Sequence, residues 1–303
     1  MRGRYAPSPT GRLHLGNVRT ALLAWLQVRA AGGTFVMRIE DVDSGRSRPH
    51  FEATLLEDLR WLGLNWDEGP DVGGPHGPYQ QSKRGAHYTA ALAQLDTFRC
   101  TCTRKEVRAA AAVTSGVEPV YPLTCLDGPT HPERPTSVRW RPPATVVSVC
   151  DALQGAASEH LADEAGCFML RRTDGDWAYN LAVVVDDGAM EITHVLRGAD
   201  LWSSTPRHVG LARALGLPVP TYAHVPLVRG PDGEKLSKRH GAPDVAALRQ
   251  AGEDPRRVVA WLARTVGLVE AGVERVEARA LVADFDVEAV RDLPVPHADP
   301  WRL

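Results

Sequence analysis

Two short segments, far apart in the chain, carry side chains that can bind phosphate groups. Residues 6–17 read APSPTGRLHLGN and place His14 just ahead of a predicted helix, where backbone N–H groups and the helix dipole favour an anion. Residues 235–239 read KLSKR and supply Lys235 and Lys238 after a Pro-Asp-Gly turn. Flexible ammonium groups in such a loop can reach a polyphosphate. The chain contains neither G-x-x-x-x-G-K-[ST] nor G-x-G-x-x-G, so a different nucleotide cradle is required.

A third group of reactive side chains consists of thiols. Cys100, Cys102 and Cys125 fall within 26 residues, and Tyr121 precedes the third of them. Three thiolates suit zinc, which prefers tetrahedral sites. The C-x-C pair with a lone cysteine is less specific than two C-x-x-C pairs, so the spacing leaves zinc binding and buried free thiols equally open.

Alternating strand and helix signals surround the first phosphate-binding segment. This pattern predicts a parallel sheet with helices packed on its faces. Asn17 is predicted to cap the first helix, and residues 182–185 are predicted to form a strand. A helix is expected to open at Thr205 and to close at Gly216. The other predicted elements are strands at 2–6 and 34–39 and helices after 17, at 47–62 and at 83–95.

Together, the two phosphate-binding segments resemble the paired signature of class I aminoacyl-tRNA synthetases. The first is similar to the family's HIGH motif, with Leu15 and Asn17 departing from it. The second is similar to KMSKS, with Leu236 and Arg239 departing, and these departures are common in the glutamyl branch. Three further segments resemble the glutamyl and glutaminyl branch: RYAPSPTG at 4–11, RIEDVD at 38–43 and LRGADLWSSTPRH at 196–208.

The resemblance implies an ATP site and a glutamate site. Glutamate offers two carboxylates and one ammonium group, which require guanidinium or backbone donors and a carboxylate respectively. Glu40 is expected to receive the amino group, and Mg²⁺ is expected to accompany ATP. The resemblance assigns catalysis to His14, Lys235 and Lys238, and ATP binding to His14, Gly16, Asn17 and Lys238. It assigns glutamate binding to Arg4, Tyr5, Ala6, Pro7, Ser8, Glu40, Tyr179 and Arg197.

The resemblance also implies one structural Zn²⁺ in an inserted module that approaches the acceptor end of tRNA. The loop before Tyr121 is long for the family, so Asp127 and His131 stand as substitutes for it, and Cys150 and Cys167 are expected to be structural. The implied ligands are Cys100, Cys102, Tyr121 and Cys125.

The predicted fold class is α/β. It comprises a Rossmann-like parallel-sheet nucleotide-binding catalytic domain, an inserted zinc-binding acceptor-end module and a short, mainly helical C-terminal stem-contact region. The 64 residues from 240 to 303 are too few for an anticodon-binding domain, which typically needs about 100 residues or more, so none is expected. The predicted limits are 1–98 and 166–240 for the two halves of the catalytic domain, 99–165 for the insert and 241–303 for the helical region.

The shortened chains of this family resemble the present one and are glutamyl-queuosine tRNA(Asp) synthetases. The resemblance implies ATP-dependent activation of L-glutamate to glutamyl-adenylate, followed by transfer of glutamate to the queuosine base in the anticodon loop of tRNA(Asp). One alternative is a truncated or discriminating glutamyl-tRNA synthetase that charges the 3′ end of tRNA(Glu) or tRNA(Gln). Others are a catalytically silent tRNA-binding paralogue and an enzyme that activates another small carboxylate.

Composition narrows the class of protein further. A net charge of −2 over 303 residues excludes a protein that coats nucleic acid through many phosphate contacts. No apolar run approaches the roughly 20 residues that cross a bilayer, and the start MRGRYAPSPTG lacks the apolar stretch of a secretory signal. Five cysteines, an odd number, argue against a disulfide framework. A cytoplasmic protein without a membrane partner is therefore expected. A monomer is also expected, although these features do not decide the oligomeric state.

Overall fold

The structure is a computed structural model that describes residues 1–110, 120–229, 236, 243–291 and 293. Strands and helices alternate through the first part of the chain, as the sequence predicts. The strands are β1 (Arg2–Tyr5), β2 (Thr34–Met37), β3 (Thr97–Cys100), β4 (Ser137–Trp140), β5 (Val146–Asp151), β6 (Gly155–His160), β7 (Met169–Arg171), β8 (His194–Gly198) and β9 (Thr221–Val225). The α-helices are α1 (Leu15–Ala30), α2 (Pro49–Trp61), α3 (Gly85–Leu92), α4 (Arg104–Ala110), α5 (Tyr179–Ala189), α6 (Thr205–Ala214), α7 (Val245–Gln250) and α8 (Pro255–Arg264).

A six-stranded sheet forms the centre of the molecule, with strand order β2-β1-β8-β9-β5-β6. All neighbouring strands in it are parallel except β5 and β6, which form an antiparallel hairpin at one edge. From β1 the chain continues to β2 towards one edge of the sheet, whereas from β8 it continues to β9 towards the opposite edge. The strand order thus reverses between β1 and β8, and in α/β sheets ligands bind at the carboxyl ends of the strands beside such a reversal. The predicted α/β class with a parallel sheet is confirmed.

Helix α1 covers this sheet and is buried along most of its length. The helix packs very close to β1 at Gly3. A Cβ atom at this position would lie only 2.5 Å from Cγ2 of Val28, so the contact leaves no space for a side chain. The prediction that Asn17 caps this helix is wrong. The cap residue is His14, whose backbone is extended and whose carbonyl accepts the Val18 N–H at 3.1 Å, and the Asn17 side chain lies within the first turn.

The prediction of a strand at 182–185 is also wrong, because these residues lie in α5. The helix is buried continuously from Leu181 to Asp187. A short run that is apolar on every side shows no periodicity, so it cannot distinguish a buried strand from a buried helix. The helix predicted from Thr205 is confirmed as α6, and Gly216 beyond its end has a positive φ of 63°.

A second, three-stranded antiparallel sheet has the order β3-β4-β7. Cys167 is buried in an apolar cluster beside it, together with Cys100 and Cys125, whereas Cys150 is exposed on β5. Residues 146–160 pair with the six-stranded sheet and not with this smaller one. The domain limits drawn from the sequence stay a prediction, and these pairings show which sheet each strand joins.

The described part of the C-terminal region is held against the first half of the chain. Arg249 on α7 pairs with Asp58 at 2.9 Å and with Glu57 at 2.7 Å, both on α2. α8 contributes a buried face to the same apolar core as α1. Across the described part of the chain, every helix falls short of the length and apolar character that crossing a membrane requires.

Candidate active site

The residues predicted to bind glutamate meet at the carboxyl edge of the six-stranded sheet. Arg4 and Tyr5 end β1, and Arg38 and Glu40 follow the end of its neighbour β2. Arg197 lies near the end of β8, on the other side of β1. Strand order thus brings together side chains that are up to 193 positions apart in the sequence.

A buried cluster of alternating charges occupies one side of this edge. The Asp187 carboxylate accepts hydrogen bonds from Arg38 at 2.7 Å and from Nε of Arg4 at 3.3 Å. A second nitrogen of Arg38 donates to Glu40 at 3.2 Å. Burial raises the pKa of Glu40 above its ordinary value, although the charges of Arg38 and Arg4 act in the opposite direction. Among the described residues, Arg38 is the one cation in contact with Glu40.

Arg197 occupies the other side of the edge and is held in a different way. Its five donated hydrogen bonds all go to neutral groups among the described residues, so its charge is not neutralised by a protein carboxylate in contact with it. A buried guanidinium of this kind attracts an anionic ligand. Its acceptors are His224 Nε2 at 2.8 Å, Thr205 Oγ1 at 2.9 Å, His208 Nδ1 at 3.1 Å, Leu201 O at 3.3 Å and Tyr179 Oη at 3.3 Å.

Tyr179 connects the two sides. Burial raises the pKa of its hydroxyl, and the charges of Arg197, Glu40 and Arg4 all act on it. These four side chains therefore form one electrostatic environment. The segment that follows β1 completes the edge: Pro7 O accepts the Glu40 N–H at 2.9 Å, Ala6 is half-buried and Ser8 is exposed.

The first phosphate-binding segment lies at the start of α1. His14 is the residue before the helix, Gly16 is half-buried and Asn17 is exposed. The first turn of α1 contains no acidic residue, so the positive end of its dipole is not offset there. The Asn17 carbonyl accepts the Tyr5 hydroxyl at 3.2 Å, which joins the helix start to the end of β1.

Leu236 of the second phosphate-binding segment and the chain that follows this segment also lie near the start of α1. Leu236 N–H donates to Val228 O at 2.7 Å, and Val228 is the neighbour that a Cβ atom on Gly16 would meet at 3.7 Å. Asp244 forms an isolated bridge with His14, and Val245 N–H donates to the Leu13 carbonyl at 3.0 Å. Lys235 and Lys238, both predicted to be catalytic, lie outside the described residues.

Four residues of this site were not singled out from the sequence: Asp187, His208, His224 and Asp151. His208 and Thr205 lie within the segment 196–208, whose resemblance to the glutamyl branch was noted as a whole. Asp186 and Asp187 end an apolar run, which is an unusual place for two carboxylates. No signal marks Asp151 or His224, because each lies in an ordinary strand and they meet only through the pairing of β5 with β9.

The thiol cluster (Cys100, Cys102 and Cys125) lies beside the three-stranded sheet, and its three Sγ atoms all lie within 4.8 Å of one another. Sγ of Cys102 and Sγ of Cys125 are 3.6 Å apart. The Tyr121 hydroxyl is 3.2 Å from Sγ of Cys100 and 3.6 Å from Sγ of Cys102. Tetrahedral zinc with Zn–S bonds of about 2.3 Å places its sulfur ligands roughly 3.8 Å apart. The cluster could therefore hold a metal ion, and its separations suit zinc.

The two substitutes for Tyr121 point elsewhere. Asp127 is exposed, and Nδ1 of His131 faces Glu133 at 3.4 Å. Burial opposes ionisation of the Cys125 thiol, but hydrogen bonds from Thr130 and neighbouring groups outweigh it and lower its pKa to about 5. Burial raises the pKa of the Cys102 thiol to about 11, so Cys125 is the more readily ionised of these two thiols.

Comparison with known proteins places this geometry in a family. A family model described as tRNA synthetases class I (E and Q), catalytic domain, matches residues 1–295. The chain belongs to this family. It is an aminoacyl-tRNA synthetase-like ligase, as the two phosphate-binding segments predicted.

Individual members of the family are similar over most of their length. The chain is 52% identical to the glutamyl-Q tRNA(Asp) synthetase of Deinococcus radiodurans over 87% of this chain and 88% of that protein. It is 47% identical to the protein of the same name from Symbiobacterium thermophilum over 97% and 94%. The crystal structure of glutamate-tRNA synthetase from Elizabethkingia anophelis superposes with a TM-score of 0.82 and 30% identity, over 99% of this chain and 68% of that one. The resemblance noted from the sequence is thereby confirmed.

The two buried histidines beside Arg197 predict how the stability of this synthetase-like fold depends on pH. Burial lowers the pKa of both His208 and His224, and the charge of Arg197 lowers it further in each case. The unfolded chain binds a proton at each histidine near pH 6.5, whereas the folded chain resists it. The contribution of the two histidines to the free energy of unfolding is therefore fully present above about pH 6.5. It is lost as the pH falls below that value, by up to about 1.4 kcal/mol per pH unit for each histidine.

Urea denaturation at pH 7.5, 6.5 and 5.5 measures this loss. In a His208→Gln variant, which cannot take up that proton, the free energy of unfolding should fall less steeply between pH 6.5 and 5.5. Equal slopes in the two proteins would show that His208 is not held neutral.

Proposed function

We propose that this protein activates L-glutamate with ATP and transfers it to the queuosine base in the anticodon loop of tRNA(Asp). The observation that carries the glutamate part is the meeting of Arg4, Glu40, Tyr179 and Arg197 at the carboxyl edge of the sheet. The buried carboxylate of Glu40, which has one cation in contact with it in the part of the chain that the structure describes, suits the ammonium group of an amino acid. The guanidinium of Arg197, whose hydrogen-bond partners are all neutral groups where the structure describes the chain, suits a carboxylate of the ligand. The names of the most similar relatives support the queuosine part.

In the first step, a carboxylate oxygen of glutamate attacks the α-phosphorus of ATP. The bond to the bridging oxygen breaks, and glutamyl-adenylate and pyrophosphate form. His14 and the start of α1, with Gly16 and Asn17, hold the nucleotide, and Lys235 and Lys238 offset the charge that develops on the phosphates. The placement of Leu236 and Asp244 beside the start of α1 supports this role for Lys235, which precedes Leu236 in the sequence, and for Lys238, which lies between the two in the sequence. Mg²⁺ bound with ATP would neutralise further phosphate charge.

In the second step, a hydroxyl of the queuosine cyclopentene ring attacks the activated carbonyl of glutamate, and AMP leaves. As the ester bond forms, the departing phosphate of AMP takes up the hydroxyl proton. No side chain needs to act as a nucleophile, because the adenylate is already a mixed anhydride and catalysis rests on proximity.

The experiment that tests the proposal supplies radiolabelled glutamate, ATP and tRNA(Asp), with and without queuosine. Label should enter only the tRNA that contains queuosine, and it should stay on the anticodon fragment when the 3′-terminal nucleotides are removed. Label that is lost with those nucleotides would instead establish a glutamyl-tRNA synthetase that charges the 3′ end. If glutamate does not support exchange between ATP and pyrophosphate, the chain is a silent paralogue or activates another carboxylate.

We also propose that the thiol cluster and Tyr121 hold one structural Zn²⁺. The purified protein is expected to contain about one equivalent of zinc by elemental analysis. A Cys125→Ser variant should lose the metal and unfold at lower temperature, because a structural zinc site contributes directly to folding. Cys150→Ser, at an exposed thiol, is the matched control and should retain the metal. Full zinc content in the Cys125→Ser variant would exclude this site.

A further inference from the structure

Asp151, at the end of β5, is a buried carboxylate whose hydrogen bonds fix its orientation. Its Oδ1 accepts the backbone N–H groups of Leu153 and Gln154, each at 2.9 Å, and of His224 at 3.1 Å. Its Oδ2 is 2.6 Å from Nδ1 of His224. Both side chains are 0% exposed. Burial opposes ionisation of Asp151, but these hydrogen bonds outweigh it and lower its pKa, so the group is an acceptor only.

The proton of the neutral His224 ring therefore lies on Nδ1, where it is donated to Asp151. This leaves Nε2 with a lone pair. Nε2 lies 2.8 Å from Nε of Arg197 and 3.1 Å from Oγ1 of Thr205. Arg197 can only donate, so the hydrogen bond requires the tautomer that Asp151 selects.

His208 follows the same logic on another side of the guanidinium. Its Nε2 is 2.9 Å from Oδ1 of Asn180, an acceptor, so its proton lies there. Its Nδ1 is then the acceptor for Arg197 at 3.1 Å. Two neutral imidazoles thus hold the cation where ion pairs would otherwise be expected, and the positive charge remains for a ligand.

We infer that Asp151 and His224 are positioning residues that make Arg197 selective for a carboxylate, by holding its guanidinium through a neutral acceptor instead of an anion. The inference rests on the proposed function, since it assigns the anionic ligand of Arg197 to glutamate. The Tyr179 and Leu201 contacts to Arg197 are the longest, at 3.3 Å each. An incoming carboxylate would accept the two guanidinium N–H groups that make these contacts. The hydrogen bonds to His224 and Thr205 would keep the guanidinium in place.

Asp151→Asn tests the relay with little change of shape. The amide oxygen can still accept the backbone N–H groups, but the amide NH₂ then faces Nδ1 of His224. The ring proton of His224 is then forced to Nε2, where it points at the N–H of Arg197 and the hydrogen bond between them is lost. Replacing the aspartate of a catalytic triad with asparagine likewise selects the wrong tautomer of its histidine. Two-bond ¹H–¹⁵N spectra of labelled protein should show His224 protonated on Nδ1 in the wild type and on Nε2 in the variant. A wild-type His224 that is protonated on Nε2, or charged at pH 7.5, would overturn the inference.

Glutamate-dependent exchange between ATP and pyrophosphate tests the consequence. In Asp151→Asn, KM for glutamate should rise about tenfold or more, since a hydrogen bond to a charged group is lost, while KM for ATP changes by less than about twofold. Cys150→Ser, one residue earlier on the same strand and exposed, should leave both values unchanged. Adding His224→Gln to the Asp151→Asn variant should lower KM for glutamate again. The amide oxygen of glutamine can accept the hydrogen bond from Arg197 and does not depend on the position of a ring proton.

If Asp151→Asn does not fold, the pair His224→Gln and His224→Leu replaces it. The first keeps an acceptor and should retain a KM for glutamate within about threefold of the wild type, whereas the second removes the acceptor and should raise it about tenfold. Equal KM values in the acceptor and the non-acceptor variants overturn the inference. Absence of glutamate-dependent exchange in the wild type overturns the proposed function instead, and the spectra then still decide the tautomer.

Discussion

Replacing Lys238 with alanine is expected to lower the rate of glutamate-dependent exchange between ATP and pyrophosphate by about 10²- to 10³-fold. In the proposed reaction, negative charge builds on the phosphates as glutamyl-adenylate forms, and the ammonium group of Lys238 would stabilise the transition state more than the bound substrates. The effect should therefore appear in kcat, with KM for glutamate little changed. Lys235 and Lys238 are two of only four lysines in the chain, in a sequence that otherwise prefers arginine. A compact, flexible point charge is the property that distinguishes lysine.

The control for this change is Lys105→Ala, at an exposed lysine on α4 near the thiol cluster. It should leave the exchange rate unchanged. A Lys238→Arg variant should retain part of the rate, because it keeps the charge but alters the geometry of the donors. Undiminished exchange in Lys238→Ala would refute the role given to the second phosphate-binding segment.

Replacing Asp187 with asparagine is expected to lower the free energy of unfolding by about 3–5 kcal/mol. The carboxylate lies between Arg4 and Arg38, and the side chain of Arg38 is 0% exposed. Without that charge, Arg4 and Arg38 lose the carboxylate that pairs with both of them, and among the described residues Glu40 in contact and Asp186 at longer range are left to offset Arg38. An uncompensated charge in the interior costs far more than a surface ion pair contributes. Urea denaturation at pH 7.5 measures the difference.

Glu277→Gln is the comparison for this second change. Glu277 pairs with Arg279, and the side chains of both residues are at least half exposed. Solvent screens such a pair, so the variant should have the stability of the wild type. If Asp187→Asn were as stable as Glu277→Gln, the buried cluster would not depend on its central carboxylate.

The opening of the fold was predictable because each element there carries its own periodicity. The apolar positions Val18, Leu22 and Leu26 mark one face of α1, and the buried run after Thr34 is short enough for a strand. The prediction failed at α5, where the apolar run from Leu181 is buried on all sides. It also failed at the cap of α1: asparagine is a common cap residue, but the helix begins earlier, and His14, with an extended backbone, is its cap.

The predicted residues of the glutamate site were obtained in a different way, by resemblance to a family. Their residue types suit the chemistry of glutamate, but no property of Arg4 or Arg197 alone distinguishes a ligand-binding arginine from a surface one. The buried carboxylate of Asp187 and the two acceptor histidines of Arg197 were missed because their role depends on which neighbour they face. That neighbour lies on a strand or helix distant in the sequence.

The sequence by itself determined the class of chemistry: a phosphate-binding turn before a helix, a lysine-rich loop, and guanidinium and carboxylate groups that match an amino acid. It could do so because residue type and local spacing fix which ions a segment can bind. Only the tertiary structure decided how each charge is balanced. The strand order places Arg4 beside Asp187 and Arg197 beside two neutral imidazoles, and in a buried site the identity of the nearest partner decides whether a charge is neutralised or remains for the substrate.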